Sequence, residues 1–427
     1  MNRGTRRVIL ANLLVPVVAW IVWDQIEARA LAGDVAALAA RGEPTTTSAI
    51  PAGGDTQDRR HAARVYAAAV EHASALSPEV TFRLPRIDVD SATLVINLDE
   101  LERTYPPNAP YLQLIHQAAP LEFNGFGTFG GDVRIPTLTT LGHLCALDAD
   151  LHSARGRTGD AAAALASCAR LWRTMTTFSR FQLSQRLLGS TRILLRHGRP
   201  PPQNLASLQR AFDGLPDTDS LADDVRASRA RFIEVMAAPR RSVVETMVRG
   251  VMRPWITRAN RQQLRTFDDA LTMAARPWPE KFLASAEMEA KYGPGLGRGS
   301  RGLIARQIPP PGLAFVGISV RPAGFDLAAR RTIVATLAVE RFRADHGGET
   351  PGSLDALVPN YLAAVPLDPF SGKPIVYRRS ATDYRVYSVD SDMKDDGGVV
   401  YGLGGKTRGQ TQQDTPRDLG IRVELRR

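Results

Sequence analysis

PTLTTLGHLCALDADLHSARGRTGDAAAALASCARLWRTMTTF, residues 136–178, is the stretch that sets the fold class. Leu138, Leu141, Leu144, Leu147 and Leu151 recur every three or four positions, which puts their side chains on one face of a helix. After the turn Gly156-Arg157-Thr158-Gly159, a second face is made by Ala161, Ala164, Leu165, Cys168, Leu171 and Trp172. Helices joined so tightly pack antiparallel, so the stretch predicts a helical hairpin. The chain's two cysteines, Cys145 and Cys168, lie about equally far before and after the turn, hence at much the same height in the hairpin. A disulfide between them suits an oxidising compartment; two free, small core residues are the alternative.

Outward from the hairpin the chain stays helical. Residues 180–196 and 205–215 predict two more helices, separated by Gly198 and the prolines Pro200, Pro201 and Pro202. Residues 220–251 predict one long helix interrupted near Pro239, and residues 59–76 one with Ala63, Tyr66, Ala67 and Val70 at helical spacing. A short strand is expected at 93–97 and a Gly/Phe loop, FNGFGTFGG, at 123–131. The whole of 59–292 is expected to form one helical domain, followed by a Pro/Gly-rich connector over 293–324. The hairpin resembles a single tetratricopeptide unit, although no repeat recurs at the period of about 34 residues that an array needs.

The N-terminus carries a different signal. MNRGTRR, residues 1–7, is basic, and VILANLLVPVVAWIVW, residues 8–23, holds no charge and ends in Trp20 and Trp23. Sixteen residues reach about 24 Å as a helix, against about 30 Å of hydrocarbon, so the run suits a thin single span or a signal-peptide core. Ala28 and Ala30 suit cleavage by a signal peptidase, whereas the tryptophans suit the far interface of an anchor. The expected arrangement is an anchor over 8–26 in the inner membrane, with the basic end cytoplasmic and the remainder extracytoplasmic. Residues 27–58 are an alanine-rich helix and a linker.

Ordinary hydrophobic and charged content, 44% and 23%, describes a chain able to bury a core rather than a disordered one. Of the net charge of +10, a surplus of seven sits between Arg240 and Arg306, with 13 Lys/Arg against 6 Asp/Glu. No aromatic stacking series accompanies those arginines, which argues against nucleic acid and for a solvated or lipid-facing surface. No nucleophile elbow, phosphate loop, dinucleotide fingerprint or zinc spacing occurs, and the seven histidines are scattered.

The C-terminal segment begins with an amphipathic helix over 325–346 that carries Leu327, Val334, Leu337, Ala338 and Phe342 on one face, with Arg330, Arg331, Glu340, Arg341 and Arg343 mostly off it. A short helix, SLDALV, and Asp368-Pro369 and Ser371-Gly372 turns lead to strands at 374–379 and 383–389. Together, ERFRADHGGETPGSLDALVPNYLAAVPLDPFSGKPIVYRR and YRVYSVDSDMKDDGG resemble the globular head of the major pseudopilin of type II secretion systems. The resemblance covers about a quarter of the chain and implies a small α+β head over 325–427 with a three-stranded sheet. It also implies a calcium site in the loop, at Asp392, at Asp395 or Asp396, and at Asp418. Arg7-Val8-Ile9-Leu10 lacks the prepilin-peptidase site and its mature-helix acid, so assembly into a pseudopilus is not expected.

The sequence therefore predicts a mainly α protein with a small α+β C-terminal domain and a single N-terminal transmembrane helix. The expected role is that of a non-enzymatic structural or interaction component, with envelope or secretion-apparatus proteins as partners. A hydrolase-type enzyme with a site in the helical domain and an anionic-lipid-binding envelope protein are the alternatives.

Overall fold

The computed structural model describes residues 3–50, 57–74, 98–106, 109–119, 121, 135–175, 177–214, 221–237, 243–292, 313–399 and 418–425. The expected strand at 93–97, the Gly/Phe loop at 123–131 and most of the connector fall outside these. In chain order the helices are α1 (Arg3–Ala40), α2 (Gln57–Ser74), α3 (Leu98–Thr104), α4 (Pro110–Ala118), α5 (Ile135–Ala154), α6 (Thr158–Trp172) and α7 (Thr177–His197). They continue as α8 (Pro202–Asp213), α9 (Leu221–Ala237), α10 (Val243–Ala274), α11 (Glu280–Tyr292) and α12 (Leu313–Asp345). The strands are β1 (Val376–Arg379), β2 (Asp383–Ser388) and β3 (Leu419–Glu424). The fold is thus mainly α with one small antiparallel sheet. The helix expected to start at Phe325 starts at Leu313, inside the expected connector, and continues through Pro322. SLDALV forms only a 3₁₀ turn, Asp355–Leu357.

The chain divides into two compact units. One comprises residues 1–51, 222–276 and 283–318; the other comprises 52–221, 277–282 and 319–427. The stretch read as one helical domain is therefore shared between them, and its first part belongs with the C-terminal head.

In the first unit, α1 and α10 lie side by side and parallel. Contacts rise together along both helices: Trp20 Nε1 donates to the Val251 carbonyl at 3.0 Å, and the Trp23 and Trp255 rings meet edge to face at 4.6 Å. Further along, Arg253 pairs with Asp24 at 3.2 Å, and Arg261 bridges Glu27 at 3.0 Å and Asp34 at 2.8 Å. Asp24, Glu27, Asp34 and Leu38 recur at helical spacing, so one stripe of α1 faces α10. Arg229 of α9, fully buried, joins Glu43 and Asp268 at 2.5 and 3.1 Å.

In the second unit the expected hairpin is α5 and α6, turning at Gly156, whose φ of +75° a glycine adopts without strain. Leu141, Leu144, Leu147 and Leu151 are buried, as are Leu165, Leu171 and Trp172. Gly142 lets Leu183 of α7 close on α5, because a Cβ there would stand 2.7 Å from the Leu183 side chain. One hydrophobic core runs from Ala62 and Tyr66 of α2 to Ile421 and Val423 of β3.

At its centre is α12, buried on more than one face: Arg330, Glu340 and Arg343, expected on the solvent side, are buried with Ala328, Ile333, Leu337 and Ala338. Charges enter a core only when paired. Glu340 accepts from Arg199 at 3.3 Å, from Arg343 at 2.5 Å and from the Tyr384 hydroxyl at 2.6 Å.

The sheet has the order β1-β2-β3, with Val376 opposite Tyr387 and Val386 opposite Ile421. Strand alternation sends Tyr384 and Val386 to one face and Arg385 and Tyr387 to the other. Tyr384 meets Glu340 of α12, while Arg385 donates to the carbonyls of Gly397 and Gly398, so the loop after β2 covers the second face. The Asp-Pro turn is held by Asp368, whose carboxylate accepts the amides of Phe370 and Val389, both at 2.9 Å.

Candidate functional site

The surface feature that stands apart from ordinary folding is the apolar end of the first unit. From Leu14 to Ala19 every side chain of α1 is exposed, all round the helix, and none of them is polar. From Trp20 onward α10 shelters one side, whereas Ile21, Val22 and Ile26 remain exposed on the other. Beside them α10 exposes Val251 at 67% and Trp255 at 45%. Nine of the fifteen exposed large hydrophobic side chains among the described residues lie on this end, where a soluble surface would scatter them. The acids that follow are hidden: Asp24 and Glu27 are buried against Arg253 and Arg261. Arg253 keeps 58% of its side chain exposed while pairing Asp24, and Arg258 is exposed. Part of the basic surplus noted in the sequence is therefore spent inside the unit. Among the described residues no helix is long and apolar enough to cross a membrane, and the side chains of residues 8–13 lie outside that description.

The acidic loop is built differently from a cation site. Asp395 accepts the Gly397 amide and the Tyr387 hydroxyl, both at 2.9 Å, and the Arg378 guanidinium at 2.7 Å. Asp418 accepts the amides of Gly398 at 2.7 Å and Asp396 at 3.3 Å. Asp392, exposed, accepts the Lys394 amide at 3.1 Å. Calcium takes six to eight oxygens at about 2.4 Å. Here the carboxylates turn to separate N–H and O–H donors of the chain, and no group of three or more His, Cys, Asp or Glu among the described residues is placed to hold a metal. Among the described residues no such oxygen set is assembled, and the positive charge beside Asp395 is Arg378. Residues 400–417 lie outside the described ones.

Cys145 and Cys168 come together across the hairpin as the spacing predicted, and they stand as free, buried thiols. Cys145 donates to the Ala164 carbonyl at 3.6 Å and Cys168 to the Gly142 carbonyl at 3.3 Å, each bonding to the other helix. The adjacent Cys168, burial and the nearby Asp148 push the Cys145 thiol well above its ordinary range.

One cluster escaped the sequence reading. His116 of α4 shares a hydrogen bond of 2.9 Å between Nδ1 and the Ser167 hydroxyl of α6. Its Nε2 is 3.9 Å from buried Asp148 of α5, whose other oxygen is 3.6 Å from His152 Nε2. Arg157 donates to His152 Nδ1, which leaves the proton on the nitrogen facing Asp148. The i,i+4 spacing of Asp148 and His152 could have shown half of the cluster; His116 and Ser167 come from two other helices that no spacing links to it. Both contacts with Asp148 exceed hydrogen-bond length, and Ser167 is buried within a helix whose backbone amides are already paired.

No protein-family model, no curated protein and no solved structure matches the chain.

Proposed function

We propose that the chain is a membrane-anchored envelope protein, a structural or interaction component whose C-terminal domain is pseudopilin-like. The observation that carries the anchor is the all-round exposure of apolar side chains from Leu14 to Ala19, continuing the uncharged sequence that starts at Val8. A helix that is hydrophobic all round is stable only when buried in protein or lipid. The basic residues 1–7 place that end in the cytoplasm and the rest of the chain outside the inner membrane. Resistance of the full chain to alkaline extraction from membranes, at unchanged size, is the expected result. Release into the soluble fraction, or a mature form lighter by about 3 kDa, overturns the anchor.

The order helix, Asp-Pro turn, antiparallel sheet and acidic loop supports the pseudopilin-like reading of the head. Docking of that head against α7 and α8, through Ser184 to Asp326 and Gln209 to Tyr361, supports a fixed module rather than a polymerising subunit. Crosslinking in intact cells followed by capture is expected to recover secretion-apparatus components, and their absence overturns the proposed partnership.

The hydrolase alternative is supported only by the line Ser167, His116, Asp148. A buried serine in mid-helix, without free amides to stabilise an oxyanion, is a poor nucleophile site. No labelling by a fluorophosphonate is expected; labelling that disappears in Ser167→Ala would establish the enzyme instead.

A further inference from the structure

We infer that the turn of α10 from Val251 to Trp255 forms a second membrane contact, at the level of the lipid headgroups beside the anchor. The inference rests on α1 being the anchor and adds a part of the chain that hydropathy does not mark. Because α10 runs parallel to α1, its N-terminal end points the same way as the apolar end of α1. The Trp20 to Val251 hydrogen bond sets Val251 at the level of Trp20, one helical turn, or about 5 Å, inside the boundary marked by Asp24. Because α10 stands along α1 and not in the bilayer plane, it reaches the headgroup and acyl boundary, about 5–10 Å deep, at this turn and not along its length.

The chemistry at this level suits lipid. Trp23 and Trp255 meet edge to face, and with Trp20 they place three indoles within about one helical turn, where amphipathic rings sit at a bilayer surface. Among the described residues Val251 keeps 67% of its surface exposed and Trp255, although it packs on Trp23, 45%, continuous with Ile21, Val22 and Ile26 of α1. The sequence before them, VVETMVRGV at residues 243–251, is apolar apart from Glu245, Thr246 and Arg249. Arg253 and Arg258 follow at the height where phosphates lie, and the exposed part of Arg253 stays available although its carboxylate partner, Asp24, is buried. The partner this surface fits is a bilayer with anionic headgroups, which supplies both an apolar depth and negative charge at its rim.

The test uses the full chain in nanodiscs of phosphatidylcholine and phosphatidylglycerol, with an environment-sensitive fluorophore attached at Val251→Cys or, as the anchor control, at Val18→Cys. Both positions are exposed, so neither substitution disturbs packing, and native Cys145 and Cys168 are buried from the reagent. The expected result is quenching of both labels by lipids spin-labelled near the headgroup or chain, protection of both from aqueous iodide, and a shallower position for 251 than for 18. Iodide quenching at 251 with lipid quenching retained at 18 overturns the inference and leaves the anchor standing. Loss of lipid quenching at both positions overturns the two together. Protection of 251 from iodide without lipid quenching assigns the surface to a protein or a second copy, and also overturns it. In nanodiscs of phosphatidylcholine alone, the 251 label is expected to lose lipid quenching while the 18 label keeps it; equal quenching overturns the role of the arginines.

Discussion

Asp418 accepts the backbone amide of Gly398 at 2.7 Å, tying the stretch after β2 to the start of β3 with the chain's own donor. Asp395 is held in turn by Arg378, Tyr387 and Gly397. In the described part of the loop the chain's own donors occupy these acids, and the melting temperature is expected to be the same in calcium and in chelator. A calcium-dependent rise would show that the loop rearranges into the site implied by the pseudopilin resemblance. Asp418→Asn, which keeps one acceptor oxygen and loses the other, is expected to destabilise by about 1–2 kcal/mol in urea titrations.

Burial pushes the carboxyl of Asp326 up from 3.8 to about 6, against the opposing pull of Arg180, the Ser184 hydroxyl and Arg330. Folded protein thus binds this proton more readily than unfolded protein does. The stability it contributes is full below about 3.8 and is lost as pH rises through about 6. In Asp326→Asn that pH-dependent contribution disappears, and the difference from the parent protein is expected to change by up to about 3 kcal/mol between pH 4 and pH 7. Parallel stability profiles for the two proteins would refute it.

Glu340 is the charge on which the head and the helices of its unit converge. Removing it leaves Arg343 buried without its acid, so Glu340→Ala is expected to cost about 3–5 kcal/mol, against about 1–2 kcal/mol for Tyr384→Phe. Chemical denaturation of both variants measures the contrast, and equal losses would mean that Glu340 acts through the tyrosine alone.

Cys145 and Cys168 are expected to resist alkylation in the native protein, because both are buried and the Cys145 thiolate is disfavoured. Unfolding without reductant is expected to release two reactive thiols. A count of zero would establish the cross-hairpin disulfide that their matched heights permit.

Much of the helical framework was legible because its signal is local. The leucines of α5 and the alanines and leucines of α6 declare the hairpin on their own, and the alternation around Tyr384 and Val386 declares the sheet. The start of α12 was misread because Pro322 and Gly324 look like punctuation. In the fold Gly324 is packed under Trp278 and Phe370, where even a methyl group would crowd their rings, and the helix passes through both residues. The acidic loop was legible as a feature but not in its bonding, since Asp395 and Asp418 look alike in sequence whether they face a metal or an amide.

The sequence by itself determined the hairpin with its matched cysteines, most of the longer helices, two of the three strands and the uncharged run at the N-terminus, because each is a short-range pattern of side chains; the third strand entered only through the pseudopilin resemblance, and the short helices α3 and α4 went unread. Only the tertiary structure decided that Glu340 and Arg343 are interior, that His116 reaches Asp148, and that α10 lies parallel to α1 with Trp255 against Trp23. Those outcomes depend on which distant segments approach, and the low-dielectric interior allows a charge only where such an approach supplies its partner.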